Sequence, residues 1–138
     1  MGESVSIPDQ TLVVVADGHQ AILFRAQSTS EKLSLSEDTR LTPKNLDEDG
    51  PSGSRPEEQT PRQTDEATFA KQLADALFRR KDANDFQHLV LVADPQTLGQ
   101  LRDTMHKIVS ESIILSLDKE LTNHSVSEIA TIVDRAAN

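Results

Sequence analysis

Two short runs, residues 11–16 (TLVVVA) and 88–93 (HLVLVA), are apolar at nearly every position. Strands of this kind bury both faces, so they belong in the middle of a sheet covered on both sides. Each run closes on a defined signal. Asp17-Gly18 after the first predicts a hairpin, with Asp17 suited to a type I′ turn. Asp94-Pro95 after the second predicts a helix with an acidic cap and Pro at its first position.

The remaining segments are one-sided. Residues 20–26 (QAILFRA) form the return strand of the hairpin, and residues 32–36 (KLSLS) alternate, with Leu33 and Leu35 on one face. Phe69, Leu73, Ala76 and Leu77 recur at helical spacing, with Thr64 or Asp65 as N-cap. Leu98, Leu101, Met105, Ile108 and Val109 make the next apolar stripe, and residues 113–117 (IILSL) a fifth strand. Ser125 and Glu128 form a Ser-x-x-Glu capping box that opens a helix burying Ile129, Ile132, Val133 and Ala136. The order is therefore β-β-β-α-β-α-β-α. With right-handed crossovers it folds most simply as an α/β, ribonuclease H-like three-layer domain. Its mixed five-stranded sheet has order 3-2-1-4-5, with only strand 2 antiparallel.

Residues 42–63 stand apart. They hold four of the chain's six Pro, two of its five Gly and one large apolar residue, Leu46. Such a segment buries too little to offset its ordering entropy, so it reads as a flexible insertion between strand 3 and the first helix. The other parts of residues 1–138 form one domain, since 138 residues leave no room for two cores.

Composition excludes several functions. The net charge is −9, there is no Trp or Tyr, and only four Phe are present. An acidic chain without a stacking platform is a poor non-specific nucleic-acid binder. The one basic run, Arg79, Arg80 and Lys81, falls at a helix end, where positive charge meets the helix dipole favourably. The absence of Cys removes disulfides and thiol metal sites and fits a reducing, cytoplasmic setting. No run is long enough to span a membrane, and the opening MGESVSIPDQ carries no secretory signal.

The segment Val13-Val14-Val15-Ala16-Asp17-Gly18-His19-Gln20-Ala21-Ile22-Leu23-Phe24 resembles the opening of the bacterial host attachment protein family. Phe69-Ala70 with Leu73-Ala74 is similar to that family's first helix. Leu89-Val90-Leu91-Val92-Ala93-Asp94-Pro95, with Leu98-Gly99 and Leu101-Arg102, is similar to its central strand and next helix, although members usually carry Pro where Asp94 stands. Asp118-Lys119-Glu120-Leu121-Thr122 resembles its late Lys-acid-Leu-Thr signature. The resemblance implies a fold like the central domain of archaeal and eukaryotic release factors. It also implies a non-enzymatic cytoplasmic interaction module with a protein or ribosome partner. The Gly-Gly-Gln loop of those release factors does not occur in this sequence, so peptidyl-tRNA hydrolysis is not expected.

The alternative reading is enzymatic. Asp17, Asp94 and Asp118 end three strands at one edge of the expected sheet, and Glu66 starts the neighbouring helix. Metal-dependent nucleases or phosphodiesterases hold their ions with carboxylates so placed. Each acid also has a local task needing no metal: a turn, a helix N-terminus, a cap and a strand end. The structural reading is preferred, with no metal and no cofactor expected. His19, His88, His106 and His124 show no ligand spacing, and His88 at the start of a buried strand reads as a packed or capping residue. No nucleophile elbow or Gly-rich phosphate loop is present.

Overall fold

The computed structural model describes residues 7–28, 33–42 and 63–137, with side chains from residue 68 onward in the last segment. The expected insertion, residues 42–63, falls almost wholly outside the described residues. Among the described residues the elements run β1 (Leu12–Ala16), β2 (Ala21–Ser28), β3 (Leu33–Leu41), α1 (Gln63–Asp82), β4 (Leu89–Ala93), α2 (Pro95–Thr104), α3 (Lys107–Ser110), β5 (Ile113–Asp118) and α4 (Val126–Ala137).

The two fully apolar strands pair in parallel at the centre, Leu12 opposite Leu89 through Ala16 opposite Ala93. β2 runs antiparallel to both β1 and β3, β5 is parallel to β4, and the sheet order is β3-β2-β1-β4-β5. The expected three-layer topology is thus observed. Alternation along each strand divides the core into two layers. Leu12, Val14, Leu23, Leu89 and Leu91 meet Phe69, Leu73, Leu77, Leu98 and Leu101 from α1 and α2. Val13, Val15, Phe24, Val90 and Val92 meet Ile129 and Val133 of α4 on the other side.

Local departures from the sequence reading have physical causes. β3 continues past Ser36 to Leu41, through residues polar on both faces. It is an edge strand, where only β2 must be satisfied and polar side chains can face water. Its register shifts between Leu23 and Phe24, which leaves Asp38 unopposed as a bulge. α1 begins at Gln63, so Thr64 and Asp65 lie inside its first turn rather than capping it. The apolar stripe from Leu98 to Val109 is not one helix. Met105 is extended (φ −72°, ψ 136°), and His106 caps a separate short helix, α3. In α4 the buried positions are Ile129, Ala130, Val133 and Ala137; Ile132 is half-buried and Ala136 is exposed, so the inner face lies one residue later than expected at the C-terminus.

The capping box of α4 forms as expected. The Ser125 N–H donates to Glu128 Oε1 and the Glu128 N–H donates to Ser125 Oγ, both at 3.2 Å. The Ser125 N–H, and after it the His124 hydrogen bond, hold the Glu128 carboxyl below its ordinary value of 4.5. A lowered folded-state pKa stabilises the fold fully above the unfolded value, and this contribution disappears as pH falls through the lowered one. Urea titrations from pH 7 to pH 3 should therefore show a smaller acid-induced loss of stability in Glu128→Gln than in the parent. Equal pH profiles would contradict the cap.

Candidate functional site

Register places the strand-end acids on one rim. Ala16 is opposite Ala93, and Ala93 is opposite Asp118, so Asp17, Asp94 and Asp118 all sit at the C-terminal edge of the parallel strands. In open α/β sheets this edge, where connections diverge, is the usual place for ligands. Glu66 lies in the first turn of α1; its side chain is outside the described set.

Asp17 is the most engaged of these acids. Its Oδ1 accepts the His19 N–H at 2.7 Å and the Gln20 N–H at 2.9 Å, and its own N–H donates to the Gln20 carbonyl at 2.9 Å. A type I′ turn would need positive φ at the second central residue, His19. His19 is not among the non-glycine residues with positive φ, so the expected turn type is replaced by an Asp-centred one. Oδ2 of Asp17 accepts the hydroxyl of Thr122 at 2.9 Å, across 105 positions of sequence. Thr122 is only 6% exposed, and its neighbour Leu121 is buried in the α4-side core. The Ala-Asp-Gly turn and the late Leu-Thr segment therefore meet in space.

Asp94 is the N-cap of α2. Its Oδ2 accepts the Thr97 N–H at 3.2 Å, while its carbonyl accepts the Leu98 N–H at 2.8 Å, and Pro95 follows at the first helical position. Asp118, the last residue of β5, is exposed. Among the described residues no group of three or more His, Asp or Glu side chains is arranged to hold a metal ion. The histidines are dispersed: His88 is half-buried, His106 caps α3, and His124 Nδ1 lies 3.3 Å from Glu128.

The basic run does more than face a helix dipole. Arg80 reaches Asp38 at 3.2 Å and Asp85 at 3.0 Å, and donates to the Thr39 hydroxyl at 3.2 Å. Arg25 of β2 closes the network on Asp85 at 2.5 Å and on the bulge residue Asp38 at 3.6 Å. Two cations and two carboxylates thus join the end of α1 to β2 and β3. Arg79 pairs with Asp75 at 3.0 Å, and Lys81 Nζ lies 5.7 Å from the Phe86 ring centroid. These partners leave little of the run available for phosphate contacts. Neither this network nor the role of Thr122 is evident from the sequence around each residue; the Leu121-Thr122 segment of the family resemblance is the signal that points to Thr122.

A family model described as bacterial archaeo-eukaryotic release factor family 12 matches residues 10–133. No curated protein matches the chain. Among solved structures it is similar to S. cerevisiae Dom34, described as a translation termination-like factor involved in RNA quality control pathways and interacting with Hbs1. The identity is 12%, the TM-score 0.49, and the match covers 94% of this chain and 34% of Dom34. It is also similar to the Aquifex aeolicus Ppx/GppA phosphatase, with 14% identity and a TM-score of 0.39, covering 78% of this chain and 34% of that one. The chain spans about a third of the length of each of these two. None of these descriptions mentions attachment to host cells.

Proposed function

The chain belongs to bacterial archaeo-eukaryotic release factor family 12, and from that premise we propose that it is a non-enzymatic interaction module of translation with the ribosome as partner. The observation that carries this reading is the family match over residues 10–133. The engagement of Asp17 and Asp94 in the turn and the cap supports a structural role for the acidic rim. The finer reading of a host attachment role draws no support from the comparisons and forms no part of the proposal. No observation favours a nuclease or phosphodiesterase. A ribosome partner makes the cytoplasm the expected compartment; among the described residues no helix is long and apolar enough to cross a membrane.

Sucrose-gradient sedimentation of a bacterial lysate containing the tagged chain tests the proposal. The chain should migrate with ribosomal particles. Its charge of −9 disfavours adventitious adhesion to RNA, so the association should persist when salt is raised. Recovery of the chain only at the top of the gradient, at every salt concentration, would overturn the reading.

A further inference from the structure

An open cleft of about 570 Å³ lies between α1 and the junction of α2 with α3. Its size is that of a small-molecule site, roughly 300–1,000 Å³. Ala74 and Phe78 supply an apolar wall, and the Phe78 ring stacks on His106 with centroids 4.4 Å apart and planes 27° apart. His106 is fixed a second time, because its Nδ1 accepts the Ile108 N–H at 3.2 Å as the cap of α3. With Nδ1 accepting a backbone N–H, Nε2 is the ring nitrogen left to donate. That Nε2–H has no acceptor among the described residues.

Lys71 lines the same cleft and makes no ion pair among the described residues. Asp75, also on the rim, is compensated by Arg79 at 3.0 Å. Among the described residues the cleft therefore combines an aromatic wall with an ammonium that makes no ion pair and an N–H donor that has no acceptor, and an anion on an aromatic ring would complement both. We propose that it binds a small planar aromatic anion, the ring against Ala74 and Phe78 and the anionic group facing Lys71 and His106. Asp17, Asp94 and Asp118 do not line this cleft, and the proposal is independent of the ribosome reading.

The test uses two aromatic probes that differ in charge: anilinonaphthalene sulfonate and its uncharged parent, phenylnaphthylamine. In amide NMR spectra of the full chain, the sulfonate should produce saturable shifts centred on Lys71, Phe78, Thr104 and His106. The uncharged probe should bind about tenfold more weakly, the loss expected for one charge-assisted contact. Lys71 is exposed, so Lys71→Met is expected to fold; it should weaken sulfonate binding about tenfold and leave the uncharged probe unaffected. Shifts centred elsewhere or none, equal affinity for the two probes, or no effect of Lys71→Met would each overturn the proposal.

Discussion

Replacing Phe24 by Ala should lower the free energy of unfolding by about 3–5 kcal/mol. Phe24 is 1% exposed and sits in the α4-side core with Val13, Leu33 and Ile129. It also stands at the register shift of β2 against β3, so a void there is poorly filled by relaxation of either strand. Total stability for a domain of this size is of order 5–15 kcal/mol, which makes the loss a large fraction of the whole. The urea midpoint should fall with little change in slope, and Phe24→Leu should recover most of the loss. A reduction below about 1 kcal/mol would contradict the assigned core.

The second large effect concerns Asp17. Its carboxylate accepts two backbone N–H groups and the buried Thr122 hydroxyl. Asp17→Ala removes all three bonds and strands Thr122, at a cost of about 2–3 kcal/mol. Thr122→Val should cost less, and the double variant should show a coupling of about 1–2 kcal/mol, within the range for residues in one hydrogen-bond network. The sign matters most. Acids clustered for catalysis repel one another, so removing one commonly raises stability. A stabilising Asp17→Ala would contradict the architectural role given to this residue.

Features carried by local chemistry were legible in the sequence. β1 and β4 read as the centre of the sheet because every side chain in both is apolar. The α4 capping box and the Asp94-Pro95 start of α2 depend on residues within one turn of each other, and both form. What escaped was non-local. The second half of β3 lacks an alternating pattern; Asp38 and Thr39 there contact Arg80, 42 and 41 positions away. The break between α2 and α3 turns on His106 capping Ile108, which interrupts an apolar stripe that continues unbroken in the sequence. At the candidate site, the three strand-end acids were placed on the expected rim, because strand order alone determines that. The bond from Asp17 to Thr122 was not legible, since both residues have ordinary local roles and only the fold brings them together.

A domain proposed to act by binding, with an acidic rim that builds the fold, has no use for a divalent cation at that rim. Titration with millimolar Mg²⁺ or Mn²⁺, followed at the amides of Asp17, Glu66, Asp94 and Asp118 alongside a cleavage assay, tests this directly. Two-metal chemistry needs free carboxylates fixed around ions about 3.5–4 Å apart, whereas Asp17 and Asp94 already accept backbone N–H groups. No saturable shift at these four residues and no cleavage of single- or double-stranded substrates are expected. Concerted, saturable shifts at all four, with cleavage abolished by Asp94→Asn, would contradict the structural role of the rim.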